Sequence, residues 1–217
     1  MQNSNSSIFV RTLFYLCLCA IYFLTLYGVF PVNVKLAKVL PLVFLLCDCI
    51  FKFIKSGCKR LIPVIFAILF SSLGDISWSF ISMMAFFAVA HLFYIYAFSG
   101  FFSLHSGRQL LFLIILLAIV VPVFIFLLPR MNANGESPFL IFGGSAYLLL
   151  LSSMSFLAIS QKRSHWFLFA FGSLLFVVSD CTIAINRFAF PVPSSGLIVM
   201  GTYYAAQFFL NCRSECS

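Results

Sequence analysis

Two aspartates interrupt long apolar stretches of this chain and are the first residues to consider for chemistry. Asp75 lies within residues 70–94 and Asp180 within the segment LLFVVSDCTIAI, and the whole chain has only five acidic residues. An ionisable side chain at membrane depth costs several kcal/mol, so it is by default a functional candidate. Two carboxyl groups in one dry site favour one protonated and one ionised group, which is the arrangement that acid–base catalysis needs.

The composition indicates the class of protein that carries these aspartates. Of its 217 residues, 63% are hydrophobic and 8% are charged, and the mean hydropathy is +1.13. Because a soluble domain carries about 25% charged residues, the chain is predicted to be a polytopic membrane protein. The net charge of +8 does not indicate a nucleic-acid partner, since the basic residues lie mostly between apolar stretches, where they set orientation.

Eight apolar segments are candidates for membrane spans, which need about 20 apolar residues each. They cover residues 8–27, 36–53, 61–78, 80–102, 110–128, 139–160, 166–185 and 196–210. Pro, Gly, Asn and charged residues occupy most of the connections, but neither a charge nor a proline marks the turn after Trp78. The predicted fold is an all-α integral membrane protein, in which residues 1–217 form one bundle of eight transmembrane helices.

The basic residues predict the orientation of this bundle. Nine of them fall on one side: Arg11, Lys52, Lys55, Lys59, Arg60, Arg108, Lys162, Arg163 and Arg213. The other side has four, namely Lys35, Lys38, Arg130 and Arg187. Since positively charged loops remain inside, both termini are predicted to lie in the cytoplasm.

The two halves of the chain share a pattern that suggests duplication. LFSSLGD followed by HLFY in the third and fourth spans corresponds to LFVVSD followed by YYAAQ in the seventh and eighth. Because four spans separate the two copies, both would have the same orientation, as in parallel-repeat membrane folds. The pattern therefore predicts a 4+4 parallel pseudo-repeat.

The predicted topology places several polar residues in the outer half of the bundle. Asp75 and Asp180 lie near the outer ends of their spans, and His91 lies roughly 16 Å along the fourth span. The other members of this group are Lys38, Tyr203 and Tyr204. Together they predict a cavity that opens towards the non-cytoplasmic side. Asp48, near the inner end of the second span, has Lys52 one turn later and is interpreted as a structural pair.

A series of short motifs resembles a known family. In chain order they are Lys38-x-x-Pro41, Leu73-Gly74-Asp75, His91-x-x-Tyr94, Tyr147, Ser179-Asp180 and Tyr203-Tyr204-x-x-Gln207. In this order and placement they resemble the YhhN-like family of eight-span membrane proteins, which includes the animal lysoplasmalogenases. The resemblance implies hydrolysis of the vinyl-ether bond of a lysoplasmalogen, a lysophospholipid, to a fatty aldehyde and a glycerophospho-head group.

The chemistry of vinyl ethers suits the polar residues of this chain. Protonation of the β-carbon gives an oxocarbenium ion, which water captures, and the resulting hemiacetal collapses to aldehyde and alcohol. As in glycosidases, one protonated carboxyl and one carboxylate can serve such a transition state. Asp75 and Asp180 are therefore the predicted catalytic pair, with His91 to orient one of them or to relay protons.

The remaining residues of the motifs are predicted to bind substrate. Lys38 is a candidate for contact with the phosphate. The tyrosines are candidates for hydrogen bonds to the ether oxygen or the phosphate, and Gln207 accompanies them: the predicted set is Tyr94, Tyr147, Tyr203, Tyr204 and Gln207. No cofactor, metal ion or obligate protein partner is expected.

Other classes of function fit the sequence less well or remain open. An intramembrane aspartyl protease would have glycine where Ser72 stands, and His91 is the only histidine at membrane depth, which disfavours a zinc site. A proton-coupled transporter of a small or lipid-like solute remains the alternative, since it would also use Asp75, His91 and Asp180. The short loops suggest a bacterial inner membrane, with the endoplasmic reticulum as the alternative.

Overall fold

The computed structural model of the chain describes residues 2–103, 106–163 and 165–211, with side chains from residue 9 onward. This part of the chain is all-helical apart from one isolated β-bridge between Phe102 and Gln161. Its eight helices are α1 (Gln2–Leu26), α2 (Val34–Ser56), α3 (Leu61–Ile76), α4 (Phe80–Ser99), α5 (Gly107–Ala133), α6 (Pro138–Ile159), α7 (Trp166–Phe188) and α8 (Ser195–Asn211). Each predicted span corresponds to one helix.

Five of the helices, α1, α4, α5, α6 and α7, are long and apolar enough to cross a membrane. The chain is therefore a multi-pass membrane protein. α3 and α8 have 16 and 17 residues, and 16 residues rise only about 24 Å against a hydrocarbon core of about 30 Å. That all eight helices span the membrane, with both termini on one side, stays a prediction; Arg213, used in predicting the orientation, lies outside the described residues.

Side chains at the helix starts explain where the chain turns. The boundary after Trp78 has a capping box, in which Ser79 accepts from the backbone N–H of Ser82 and the Ser82 hydroxyl accepts from that of Ser79. The side chains of Asn33 and Ser137 accept from backbone N–H groups in the first turns of α2 and α6. These caps satisfy backbone donors that would otherwise be left free. The break between α3 and α4 therefore needs neither proline nor charge.

Two ends of the bundle can be distinguished. The connection 134–137 lies at the α5–α6 end, where the Asn134 side chain donates to the backbone carbonyl of Phe188. At the opposite end, the Gln161 amide donates to the carbonyl of Phe98, and Asp48 pairs with both Lys52 and Arg11 at 2.9 Å. The interpretation of Asp48 and Lys52 as a structural pair is confirmed.

The helix packing leaves a cavity in one part of the bundle. α7 packs closely against α8, α6 and α5, and α4 packs against α3 and α6. At Gly172 the backbone of α7 approaches α8 so closely that an added Cβ would lie 2.9 Å from the Cβ of Phe209. In the described part of the chain, α4 and α5 do not pack closely against each other. The space between these two helices contributes to the cavity described below.

Candidate functional site

Asp75 forms a buried ion pair that joins three helices. Its carboxylate, on α3, lies 3.0 Å from the Lys38 ammonium of α2 and accepts a 2.9 Å hydrogen bond from the Tyr203 hydroxyl of α8. The Asp75 side chain is only 2% exposed. A buried charge needs a partner and hydrogen bonds to offset desolvation, and here both carboxylate oxygens have one. Lys38 was predicted to contact a phosphate. In the structure its ammonium group forms an ion pair with Asp75.

Asp180 has a different environment on α7. Its carboxylate accepts a hydrogen bond from the Tyr147 hydroxyl of α6, and its side chain is half-buried. No cation of the described residues pairs with it, whereas Arg187, two turns later, pairs with Glu136. The two aspartates therefore differ in surroundings: one is closed within an ion pair, and the other has only a neutral hydrogen-bond donor.

Asp180 and Tyr147 lie on the wall of an apolar cavity enclosed by α4, α5, α6 and α7. Its empty volume is about 850 Å³, including the part that opens to the outside. The apolar lining includes Phe80, Met83, Met84, Phe87, Val123, Phe124, Leu127, Leu128, Met131, Leu140, Leu148, Leu151, Ile183, Ala184 and Phe188. Of the hydroxyl and charged side chains in the lining, only Ser145 accompanies Tyr147 and Asp180. The wall of the cavity is therefore almost wholly apolar, with one carboxyl group in it.

Phe87 separates the Asp75 ion pair from this cavity. Its ring lines the cavity and packs edge-on against Tyr203, with centroids 5.7 Å apart. The backbone of Gly74, next to Asp75, approaches so closely that an added Cβ would lie 2.8 Å from the Phe87 ring. Glycine therefore allows Phe87 to fill the space between the two aspartate groups. Asp75 itself is not part of the cavity wall.

His91 lies beside Tyr147 but bonds to neither aspartate among the described residues. Its Nδ1 donates to the backbone carbonyl of Phe87 at 2.6 Å, since a carbonyl can only accept. The ring centroid lies 5.3 Å from that of Tyr147 and 5.0 Å from that of Phe176. The fully buried Nε2 has no hydrogen-bond partner in the described structure. A catalytic role for His91 stays a prediction, with Nε2 as its available acceptor.

Tyr94 and Gln207 belong to a separate buried network. The Tyr94 hydroxyl donates to the Gln207 side-chain oxygen at 2.8 Å, and the Gln207 amide donates to the Ser71 hydroxyl at 3.1 Å. The Asn211 amide donates to the Tyr94 hydroxyl at 3.0 Å. Ser71 and Asn211 were not among the residues predicted from the sequence. The available signal was the four-residue spacing of Tyr203, Gln207 and Asn211, which puts them on one face of α8.

Tyr204 positions α8 against α1 and α2. Its hydroxyl donates to the backbone carbonyl of Lys38 at 2.7 Å, and its own carbonyl accepts from the Tyr15 hydroxyl at 2.8 Å. These contacts hold Lys38 near Asp75. Of the residues predicted to act on or bind substrate, Asp180 and Tyr147 line the cavity, and the others are not part of its wall.

The aspartates also bear on the predicted pseudo-repeat. Asp75 of α3 accepts a hydrogen bond from a tyrosine of α8, whereas Asp180 of α7 accepts one from a tyrosine of α6. In a 4+4 repeat, α3 corresponds to α7 and α4 to α8, so the two tyrosines do not occupy equivalent helices. The duplication stays a prediction, and the hydrogen-bond partners of the aspartates do not follow it.

Comparison with known proteins found several similar chains. Lysoplasmalogenase TMEM86B of Sus scrofa is 38% identical over 149 residues, which are 67% of this chain and 60% of that protein. Lysoplasmalogenase TMEM86B of Homo sapiens is 36% identical with the same coverage. Lysoplasmalogenase TMEM86A of Bos taurus is 34% identical over 156 residues, 66% of this chain and 61% of that protein. No solved structure gives a significant match.

The part of the chain that matches a known family includes the helices that form the cavity and both aspartate groups. This chain spans about 60% of the length of the curated relatives that it matches. The YhhN family matches residues 33–212, which extend from the cap of α2 past the end of α8. On this evidence the resemblance seen in the motifs is confirmed, and the chain belongs to the YhhN family.

Proposed function

We propose that this protein is a lysoplasmalogenase-like hydrolase that cleaves the vinyl-ether bond of a lysoplasmalogen. The substrates would be lysoplasmenylethanolamine or lysoplasmenylcholine, and the products a fatty aldehyde and the corresponding glycerophospho-head group. The observation that carries the proposal is the carboxyl group of Asp180, hydrogen-bonded by Tyr147, on the wall of an otherwise apolar cavity. The names of the relatives support the same reaction.

In the proposed mechanism, Asp180 is the carboxyl group that meets the substrate. Its protonated form donates a proton to the β-carbon of the vinyl ether, which leaves a carboxylate and an oxocarbenium ion. The carboxylate then takes a proton from the water that attacks the cation, giving a hemiacetal and restoring the acid. Collapse of the hemiacetal releases the aldehyde and the glycerol hydroxyl. Tyr147 holds the carboxyl in place through its hydrogen bond.

Asp75 has the complementary role in this proposal. Its carboxylate, paired with Lys38 and hydrogen-bonded by Tyr203, is the negative end of a fixed ion pair behind the Phe87 ring. A fixed charge near a dry site stabilises a developing cation at no cost of reorganisation. Asp75 would therefore assist the oxocarbenium ion from a distance, and His91, whose ring lies beside that of Tyr147, would help to orient the Tyr147–Asp180 pair.

The proposed enzyme lies in a bundle of eight spans with both termini in the cytoplasm. This orientation rests on the distribution of basic residues, and it places the α5–α6 end of the cavity on the non-cytoplasmic side. The bacterial inner membrane, with the endoplasmic reticulum as the alternative, stays a prediction.

The test is aldehyde release by the purified protein, measured by mass spectrometry. Lysoplasmenylethanolamine should yield a fatty aldehyde, whereas the acyl-ester and alkyl-ether lysolipids should yield none. Asp180→Asn should lower turnover by at least 10²- to 10⁴-fold, the usual contribution of acid–base catalysis. Asp48→Asn, at the opposite end of the bundle, is the control and should retain turnover. Absence of aldehyde from the well-folded wild-type protein would contradict the proposal and favour the proton-coupled transporter.

A further inference from the structure

Arg187 is placed on the same side of α7 as Asp180. It follows Asp180 by seven residues, close to two helical turns, so both side chains leave the same face of the helix. At 1.5 Å per residue, their Cα atoms are separated by roughly 10 Å along the helix axis. Arg187 therefore lies between Asp180 and the α5–α6 end of the bundle.

The guanidinium group of Arg187 is at the rim of the cavity. Its central carbon lies 5.9 Å from the ring centroid of Phe80 and 5.3 Å from that of Phe188. Both rings belong to the cavity lining. The Arg187 side chain is 50% exposed, so the cation is accessible from outside while its neighbours face the cavity.

The present partner of Arg187 is weakly held. Glu136, in the connection between α5 and α6, lies 3.5 Å from the guanidinium. This contact is longer than the 2.9 Å of the Asp48 ion pairs and its arginine is half-exposed, so an anion of better geometry can displace Glu136. Guanidinium is suited to phosphate because it offers two parallel N–H donors.

The length of the proposed substrate from its phosphate to its vinyl ether is comparable to the separation of Arg187 and Asp180. Between the phosphorus of a lysoplasmalogen and the β-carbon that takes the proton lie about seven bonds, which span roughly 8 Å when extended. A charge-assisted hydrogen bond to phosphate adds about 2.8 Å. The total of roughly 11 Å is comparable to the rise of roughly 10 Å between the Cα atoms of Asp180 and Arg187. A phosphate on Arg187 would therefore bring the vinyl ether to the Asp180 carboxyl.

We propose that Arg187 binds the phosphate of the lysolipid substrate and displaces Glu136 as its partner. This inference rests on the proposed function and assigns to Arg187 the contact that sequence analysis expected of Lys38. The Lys38 ammonium lies 3.0 Å from Asp75, and Lys38 does not line the cavity. With the head group at the rim, the alkenyl chain extends over the apolar residues of α4 and α5.

The experiment compares two substrates, lysoplasmenylethanolamine and the 1-alkenylglycerol that lacks the phosphate. Aldehyde release is measured in mixed micelles at fixed detergent concentration. Arg187→Gln should raise KM for the phospholipid about 10- to 100-fold, the usual range for a lost hydrogen bond to a charged group. KM for the alkenylglycerol and kcat for both substrates should change little. Arg187→Lys should have an intermediate KM, since it keeps the charge without the fork.

Two further variants separate phosphate binding from a structural role. Arg130→Gln removes another exposed arginine of the α5–α6 end, whose guanidinium lies over Phe126 outside the cavity lining, and should leave KM unchanged. Glu136→Gln breaks the same ion pair but frees the guanidinium, so KM for the phospholipid should stay the same or fall. A rise in KM with Glu136→Gln equal to that of Arg187→Gln would overturn the inference.

The inference and the proposed function fail in distinguishable ways. A wild-type protein that releases no aldehyde from either substrate contradicts the function itself. An active wild type with an unchanged phospholipid KM in Arg187→Gln contradicts only the assignment of Arg187. An equal loss on both substrates in Arg187→Gln would likewise refute a phosphate contact.

Discussion

The Asp75–Lys38 ion pair permits a prediction about stability that also tests the role of Asp75. Asp75→Asn would leave the Lys38 ammonium, 23% exposed, beside a neutral amide in the interior. Removing one partner of a buried ion pair costs about 3–5 kcal/mol, because the remaining charge has no compensation. We expect Lys38→Met to cost at least as much, since it leaves the Asp75 carboxylate, only 2% exposed, with the Tyr203 hydroxyl as its remaining partner.

The double variant Asp75→Asn with Lys38→Met removes both charges together. Replacing a buried pair by neutral groups of similar volume is often close to neutral, so the double variant should recover most of the lost free energy of unfolding. The measurement is thermal unfolding in detergent, followed by fluorescence-detected gel filtration. Asp48→Asn is the control, since Asp48 is 16% exposed, and its loss should be smaller.

Two results would refute this reasoning. A single variant as stable as the wild type would show that the pair is not desolvated. A double variant less stable than either single would show that the two charges do not compensate one another. Activity gives a second readout: if the Asp75 charge assists catalysis, the double variant should be stable yet slow, whereas full activity would reduce Asp75 to a structural role.

The remaining predictions concern the metal, the topology and the cavity. Chelator treatment should leave activity intact because the proposed chemistry uses carboxyl groups; a loss restored only by zinc would contradict it. A cysteine at Ala133, an exposed site at the α5–α6 end, should react with an impermeant thiol reagent outside intact cells more than the parent does; labelling only after lysis would reverse the orientation. Gly144→Leu should fill the cavity next to Met131 and lower activity on long-chain substrates more than on short-chain ones, compared by aldehyde release; Gly201→Leu, where an added Cβ meets nothing, is the control.

The proposed division of labour between the aspartates also explains why one of them keeps an ion pair. A carboxyl group that must donate a proton gains from apolar surroundings, which the cavity wall supplies to Asp180. A carboxylate that must remain charged gains from a cation, which Lys38 supplies to Asp75. The same residue type thus has opposite surroundings in the two places, as in enzymes that use two carboxyl groups for different tasks.

Much of the fold follows from the sequence because a membrane span has a length and an apolarity that can be counted along the chain. The eight helices, their approximate bounds and the Asp48–Lys52 pair depend only on residues close in sequence. The break between α3 and α4 was the least marked in composition, yet Ser79 and Ser82 form a capping box that fixes the start of α4. Such local signals act within one turn of a helix, where spacing alone determines which side chains meet.

The site depended on contacts between helices that spacing along the chain does not encode. The sequence by itself determined that Asp75, Asp180 and Tyr147 are polar groups within long apolar segments, and the family motifs singled them out. Only the tertiary structure decided that Lys38 pairs with Asp75, that Phe87 closes that pair off, and that Asp180 faces the cavity. The physical reason is that burial and pairing depend on which helix faces pack together, and in an apolar helix nearly every face is able to pack.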